Sequence, residues 1–439
     1  MHFIVEKING GLNWLLLGDV KSIYAKRYFK VFLTLLVLTL WITTVYRATR
    51  GHGSQFDDFT EFSEDLLFNK VNVYEVYVFN TTSIGKYPPF FAMVYALLVP
   101  LHLLLGASAW FWINLLLIYF SAVAIARATW LFSGKTEESM PVNLWVAPVL
   151  LISTNVITNI ETSQVNIFIL SLVAFALYYF AKNKDAMAGV LLGIAVAIKI
   201  TPALFVAYFA YKRSWKIVFW SGATVVACWG IVMLLVLGYS RYPEIMRSWL
   251  AILTGYVEGG TIKEGLTGFR HTNQSLDAFF FRTFTKVSAD GGFGNFYINL
   301  VSLPLTTAGW IVKGLKLAIV AGMVYLFRQR IVSRQDARIP FELGLVAMAM
   351  LFISPISWIN HYVIMLLPMT VAVNYLRVNT LAGFTSSPIK KAVLACSLSL
   401  LLPQIIFQAF SIPFLGALAL AIVFVMLLAK EEVGVASAS

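Results

Sequence analysis

Long apolar segments separated by short polar ones recur along most of the 439-residue chain. Because a helix that crosses a bilayer needs roughly 20 mostly apolar residues, the pattern predicts about 12 spanning helices. A transmembrane β-barrel would instead show short segments of alternating polarity. The sequence therefore predicts an all-α polytopic membrane protein, a single integral membrane domain over residues 1–439 with both termini inside. The predicted spans are 29–46, 88–105, 107–126, 144–160, 164–181, 186–211, 215–239, 304–327, 340–356, 358–377, 392–410 and 412–429.

Short basic loops set the predicted orientation. Lysines and arginines concentrate in segments 212–216, 328–338 and 377–391, and such residues favour the cytoplasmic side. This orientation places two long loops outside, at residues 47–87 and 240–303. Because loops held by a rigid scaffold often carry function, we expect the chemistry on the external face.

Two segments fit this orientation poorly. The basic segment 182–185 falls outside, and the polar segment 160–166 falls inside. The first would move inside if 186–211 were a re-entrant hairpin broken at Lys199-Ile200-Thr201-Pro202, since proline interrupts a helix where the backbone lines a cavity. The prediction keeps a single crossing for 186–211.

Composition and charge exclude several classes of protein. The net charge is +12, but only 12% of the residues are charged and 59% are hydrophobic. The cytoplasmic loops account for the positive charge, so we expect membrane lipids and no nucleic acid as partners. Cys228 and Cys396 lie in apolar segments, where a free cysteine behaves as a small core residue. The sequence contains neither a metal-ligand cluster nor a nucleotide-binding motif, so no metal and no cofactor are predicted.

The first external loop is the most acidic stretch of the chain. Apolar residues recur at helical spacing from Asp58 onward, which predicts an amphipathic helix on the membrane surface. Asp57 and Asp58 fall in its first turn, where the helix dipole favours carboxylates. One of the two could be a general base, and the alternative is a solvated face without chemistry. The acids of this loop are Asp57, Asp58, Glu61, Glu64 and Asp65.

Further polar groups lie in or beside the apolar segments. A lysine at the centre of a spanning helix costs roughly 2.5–3.5 kcal/mol on insertion scales, so Lys199 is expected to face an anion or a carboxylate. His361, Arg270 and His271 could bind a phosphate, and the alternatives are a hydrogen bond between helices or a solvated basic loop. Structural roles are equally open for the candidate substrate contacts. These candidates are Lys86, Tyr87, Gln164, Asn166, Asn273 and Gln274.

Several short motifs occur in a recognisable order. They are Asp58-Phe59-x-x-Phe62, Tyr87-Pro88-Pro89-Phe90, Gln164-Val165-Asn166, Ala188-Gly189-Val190-Leu191-Leu192-Gly193 with Lys199-Ile200-Thr201-Pro202-Ala203, Asn273-Gln274-Ser275, and Ser354-Pro355-Ile356-Ser357-Trp358 with His361. In this order they resemble glycosyltransferase family 87 of the GT-C superfamily, over residues 58–361. Ser163 departs from the family, which usually has glycine before Gln-Val-Asn. Ser63 departs as well, because Tyr-Tyr or a similar pair usually follows the acidic-Phe motif.

The resemblance implies a GT-C-type helix bundle that moves a hexose, most often mannose, from a polyprenyl-phosphate sugar to a lipid-linked or cell-envelope glycan acceptor. It assigns the general base of an inverting reaction to Asp58, with Asp57 as the alternative. The base takes the proton of the attacking hydroxyl, and polyprenyl phosphate leaves as a stable anion that needs nearby cations. For this role the basic residues named above are the candidates. The resemblance also implies the cell inner (plasma) membrane, with the active site on the extracytoplasmic face.

Two other functions stay open. A multi-pass transporter or flippase would use Lys199 to line a transport path, but the sequence lacks the second copy of the Lys-Ile-Thr-Pro segment that inverted repeats would show. An enzyme like the O-antigen ligases would take a diphosphate donor and use arginines of the second external loop, here Arg270 and Arg282.

Overall fold

The computed structural model describes residues 26–50, 54–75, 86–258, 268–290, 295–381, 388–401 and 405–430, with a few positions before residue 26. Within these ranges the regular secondary structure is helical, apart from one isolated antiparallel β-bridge between Asn273 and Trp358. The principal helices are α1 (Arg27–Arg50), α2 (Phe56–Leu67), α3 (Leu103–Phe132), α4 (Asn143–Leu151), α5 (Ser153–Glu161), α6 (Asn166–Ala181), α7 (Asp185–Ile198), α8 (Ala203–Tyr211), α9 (Trp215–Val226), α10 (Met233–Glu258), α11 (Leu276–Phe284), α12 (Leu305–Leu326), α13 (Arg338–Ile353), α14 (Leu366–Leu381), α15 (Pro388–Leu401), α16 (Ile405–Ala409) and α17 (Ile412–Ala429).

The helices confirm a polytopic all-α membrane protein. Six of the described helical segments are long and apolar enough to cross a membrane, and the number rises to seven if α4 and α5, which meet at a bend of 68°, form one span. The expected total of about 12 is not confirmed. Two of the predicted spans have a different structure.

Residues 88–105 do not form a spanning helix. Pro89–Phe91 and Ala92–Tyr95 are single helical turns, irregular turns follow, and α3 then runs through Gly106, where the sequence predicts a break. The Phe59 ring lies 5.0 Å from the Phe91 ring and 5.2 Å from the Tyr95 ring. The first part of this segment is apolar because Phe91, Ala92 and Tyr95 are buried inside the protein, whereas Leu97 and Leu101 are exposed.

Residues 186–211 form a re-entrant hairpin of α7 and α8, so the predicted single crossing is wrong. At the start of α7, Arg334 donates a hydrogen bond of 2.8 Å to Asp185. After the end of α8, Lys212 donates to the Gln329 carbonyl at 2.6 Å and forms an ion pair with Glu342. Both ends of the hairpin therefore contact the basic 328–338 loop and its adjoining helix, which also places the basic segment 182–185 on that side.

The packing of α7 on α9 supports the hairpin. A Cβ added to Gly189 would lie 2.6 Å from the Ile217 carbonyl oxygen, and one added to Gly193 would lie 2.5 Å from Thr224 Cβ. These contacts advance in the same direction along both helices, so α7 and α9 are parallel. Parallel neighbours require α8 to return the chain between them, and the glycines allow the close approach.

The predicted amphipathic helix is present as α2. Its apolar residues Phe59, Phe62 and Leu66 are fully buried, but they pack against protein rather than on a membrane surface. The backbone N–H of Gln55, just before α2, donates to the Thr162 carbonyl at 3.0 Å. The segment after α5 therefore lies beside the start of α2 and not on the opposite face, which corrects the side predicted for 160–166 relative to the acidic loop.

Candidate active site

A cavity of about 880 Å³ opens where the start of α2, the turn between α5 and α6, the α7–α8 turn and residues 350–361 meet. Lys86, Lys199 and Arg270 lie on its wall, and none of the described residues on that wall is a carboxylate. The wall is therefore electrostatically suited to an anion. Other polar residues on it are Gln55, Tyr87, Thr158, Thr162, Gln164, Thr201, Thr272, Ser354, Asn360 and His361.

Lys199 brings several of the predicted site residues together. It lies at the turn of the hairpin, where the backbone leaves the helix for an extended conformation. Its ammonium donates to Asn166 Oδ1 at 2.7 Å and lies 3.3 Å from His361 Nε2. The centre of the Tyr87 ring is 5.7 Å from the same nitrogen. The Pro202 break thus places the lysine at the cavity instead of in lipid.

The Lys199–His361 contact constrains the charges of both groups. Two full positive charges 3.3 Å apart would repel by about 5 kcal/mol at an effective dielectric constant of about 20. The ammonium therefore donates to a neutral imidazole when no anion is near. Because the ammonium donates to Asn166 Oδ1, the amide nitrogen Nδ2 of the same side chain points away from Lys199 Nζ. This amide nitrogen is buried and lacks a hydrogen-bond partner among the described residues.

A smaller space of about 50 Å³ adjoins the same groups and is lined by Asn166, Lys199, Thr201, Ser357 and His361, among others. Asn166 and Lys199 therefore border one small space, whose other walls include apolar residues such as Ile169 and Met350. Such a space could hold a water molecule or an oxygen of an anion.

Residues 354–361 are held in place from two sides. Asn155 and Asn159, one turn apart on α5, donate side-chain hydrogen bonds of 3.0 and 3.1 Å to the carbonyls of Ile359 and Asn360. On the other side, the Ser357 N–H donates to Asn273 Oδ1 at 2.8 Å. These bonds fix the backbone that carries His361.

Asn273 and Gln274 have no place on the cavity wall. Both are fully buried, and their side-chain amides donate to backbone carbonyls, those of Gly268 and Gln408 among them. Their role as substrate contacts stays a prediction; in the structure they join residues 268–275 to the 354–361 segment.

His271 and Arg282 are also engaged elsewhere. His271 hydrogen bonds to the Ala289 carbonyl and lies off the cavity wall, and burial lowers the pKa of its ring. Arg282 is fully buried and donates to several carbonyls, including those of Asn273 and Ala409. Of the two arginines that a diphosphate donor would need, only Arg270 lies on the wall.

Asp58 lies in the first turn of α2, three residues after a residue of the cavity wall. Gln55 lies on the wall, and its side-chain oxygen accepts a hydrogen bond from Gln164. Asp58 follows Gln55 by three residues and is thus its neighbour on the helix surface. Asp58 is half-buried, has no hydrogen bond or ion pair to another described residue, and has its pKa raised by burial and by the charge of Asp57. Asp57 is exposed, and neither carboxylate is itself on the wall.

The backbone conformation of Ser163 accounts for the glycine that the family usually has at this position. Its φ is +53°, in the left-handed region that residues with a side chain disfavour. Its carbonyl accepts hydrogen bonds of 3.1 Å from both the Tyr95 hydroxyl and the Trp110 indole. This turn carries the neighbouring Gln164 into the cavity wall.

Several wall residues escaped the sequence analysis, and for some a signal was present. Thr158 and Thr162 lie on the wall, and together with Asn155 and Asn159 they recur at helical spacing along α5 and just after it, within a predicted ordinary span. Such a polar stripe in an apolar segment indicates a helix that faces a cavity or another polar element. No comparable pattern marks Gln55, Thr272 or Asn360.

Comparisons with known proteins agree on one family. The model of glycosyltransferase family 87 matches residues 86–355. The polyprenol-phosphate-mannose-dependent alpha-(1-2)-phosphatidylinositol pentamannoside mannosyltransferase of Mycolicibacterium smegmatis is 27% identical over 287 residues, which cover 63% of this chain and 58% of that protein. The protein of the same description from Mycobacterium tuberculosis is 28% identical over 284 residues, covering 63% and 55%.

A further Mycolicibacterium smegmatis relative is described as a polyprenol-phosphate-mannose-dependent alpha-(1-2)-phosphatidylinositol mannoside mannosyltransferase. It is 28% identical over 148 residues, which cover 32% of this chain and 33% of the relative. The matches thus span less than two thirds of each relative's length. No solved structure matches the chain.

Proposed function

The chain belongs to glycosyltransferase family 87, and from this premise we propose that it transfers mannose from a polyprenyl-phosphate-mannose donor to a hydroxyl of a glycolipid or cell-envelope glycan. The reaction takes place on the extracytoplasmic face of the plasma membrane. The observation that carries the proposal is the cavity wall, which combines Lys199, Arg270 and Lys86 with no carboxylate among the described residues that line it.

The donor phosphate binds at the α7–α8 turn. Lys199 contacts both Asn166 and His361 there, and an ammonium is a common phosphate ligand. The apolar part of the wall, which includes Leu204 and Ile353, accommodates the first isoprene units. A donor that is half lipid and half anion matches both parts of the cavity.

Asp58 is the general base. It takes the proton of the acceptor hydroxyl while the hydroxyl oxygen bonds to the anomeric carbon from the face opposite the phosphate. The bond between that carbon and the phosphate oxygen breaks, and the electron pair leaves with polyprenyl phosphate. The half-buried position and raised pKa of Asp58 suit a carboxylate that must accept a proton, whereas Asp57 is more exposed.

Lys199 and the other cations of the wall stabilise the negative charge that grows on the departing phosphate. The leaving group is already a stable anion, so the reaction needs no strong general acid. Because these side chains supply the positive charge, the proposed chemistry includes neither a cofactor nor a metal ion.

The test is transfer by the purified protein in nanodiscs, with a panel of polyprenyl-phospho-sugars and with polyprenyl-diphosphate-mannose. We expect an α-linked product from β-linked polyprenyl-phosphate-mannose alone, identified by NMR. Lys199→Gln should lose most of this activity, while Lys313→Gln, which removes a lysine on α12 outside the cavity, should keep it. Transfer from the diphosphate donor, or movement of the donor across the membrane without covalent change, would contradict the proposal.

A further inference from the structure

The contact between Lys199 and His361 has a second consequence. The ammonium nitrogen lies 3.3 Å from His361 Nε2, and Asn166 Oδ1 holds it there at 2.7 Å. The backbone that carries His361 is itself held by the hydrogen bonds from Asn155 and Asn159 to the carbonyls of Ile359 and Asn360. A held lysine–histidine pair has little freedom to separate when its charge changes.

The pair cannot carry two positive charges without an anion beside it, because like charges at this distance disfavour each other. When no ligand is bound, the ammonium donates to the lone pair on Nε2, and the pair holds a single positive charge. A bound phosphodiester adds one negative charge beside both groups. That charge offsets the repulsion, and an imidazolium Nε2–H can then donate to a phosphate oxygen while the ammonium donates to another.

We propose that donor binding is coupled to the uptake of one proton from solvent by His361, so that the donor phosphate is bound by an imidazolium and an ammonium together. This inference rests on the proposed function, since the ligand is the donor's phosphodiester. The charges of the three components balance. The Lys199–His361 pair with charge +1, the phosphodiester with charge −1 and one proton from solvent combine into a ligand-bound site with charge +1. The same proton is released when polyprenyl phosphate departs and the pair returns to its single charge.

The other groups that face the cavity do not account for such uptake near neutral pH. Tyr87, Arg270 and Lys86 are the remaining titratable groups on the wall, and none of the described wall residues is an acid. The ordinary pKa values of these three types lie near 10 or above, whereas that of histidine lies near 6.5. Lys86 is the one of the three whose pKa is lowered towards neutral by burial at the cavity. It therefore needs its own control variant.

The test is isothermal titration calorimetry of a short-chain polyprenyl-phosphate-mannose, without acceptor, in buffers that differ in ionisation enthalpy. The phosphodiester itself does not titrate between pH 6 and 8, so the dependence of binding enthalpy on buffer counts protons taken up by the protein. We expect uptake of a large fraction of one proton by the wild-type protein at neutral pH, and almost none by His361→Gln. Lys86→Gln should bind more weakly yet take up as many protons as the wild type.

The outcomes separate the two proposals. Absence of donor binding by the wild type would overturn the proposed function. Donor binding without proton uptake, or uptake that persists in His361→Gln, would overturn the coupling and leave the function standing.

If His361→Gln binds too weakly to measure, the wild type itself gives the answer. In ¹⁵N NMR of histidine-labelled protein, the imidazole signal missing from His361→Gln should shift from neutral to imidazolium values when the donor is added. An unchanged neutral signal in the donor-bound protein contradicts the inference.

Discussion

Removing one partner of the ion pair at the base of the α7–α8 hairpin should destabilise the protein strongly. Lys212 Nζ lies 2.7 Å from Glu342 Oε2, and the two side chains are only 2% and 1% exposed. The Tyr208 hydroxyl donates to the same carboxylate at 2.8 Å. Breaking a buried pair leaves one charge uncompensated, which costs about 3–5 kcal/mol. We expect Lys212→Met to lose this amount of unfolding free energy.

Two comparisons isolate the electrostatic cause. The double variant Lys212→Met/Glu342→Gln has neither charge and should be more stable than Lys212→Met alone, because the stranded carboxylate is gone. Arg127→Gln removes a partner from the more exposed pair with Glu137, where the nitrogen–oxygen distance is 3.6 Å and the arginine is 45% exposed. That substitution should cost about 0–1 kcal/mol.

The assay is reversible unfolding in mixed detergent micelles, followed by circular dichroism. Donor affinity measured in parallel should fall in Lys212→Met, since the hairpin carries Lys199 into the cavity. The reasoning is refuted if Lys212→Met unfolds within about 1 kcal/mol of the wild type, or if the double variant is no more stable than the single one.

Further predictions concern the base, the turn before Gln164 and the hairpin. The rate of transfer should decline as pH falls through the raised pKa of Asp58. Asp57→Asn removes a negative charge that raises this pKa, so the variant should move the acid limb of the kcat/KM profile to lower pH. An unmoved acid limb would contradict the assignment of Asp58 as the base. Ser163→Gly should unfold within about 1 kcal/mol of the wild type while Ser163→Val loses about 2 kcal/mol, because a β-branched residue is strained at positive φ; equal unfolding midpoints would refute this. Lys184→Cys should react with a membrane-impermeant maleimide in inside-out vesicles only, and labelling of intact cells would exclude the hairpin.

The spacing of hydrophobic residues predicted well where helices form, but it did not predict whether a helix faces lipid or the protein interior. The helix of the acidic loop was predictable because Phe59, Phe62 and Leu66 repeat at helical spacing, and they are indeed its buried face. The segment around Phe91 and Tyr95 was misinterpreted because an apolar run has the same composition whether it faces lipid or the protein interior. Length and charge alone do not distinguish the two.

The hairpin and the site depend on contacts between distant positions. The Lys-Ile-Thr-Pro break was visible, but a single crossing and a hairpin have the same sequence until the partners of Asp185 and Lys212 are known. Likewise, Lys199 is separated by 33 residues from Asn166 and by 162 from His361. The motifs predicted that these residues matter, and only the fold brings them into contact. Asn273 and Gln274 match the motif equally well, yet they brace the backbone.

The central claim is that Asp58 accepts the proton of the acceptor hydroxyl. Its most direct test is the initial rate of mannose transfer from polyprenyl-phosphate-mannose by purified wild type, Asp58→Asn and Asp57→Asn, with donor affinity and unfolding midpoint measured on the same samples. We predict that Asp58→Asn binds donor and folds normally but transfers on the order of 10²–10⁴ times more slowly, while Asp57→Asn remains active. Full transfer by Asp58→Asn would contradict the account.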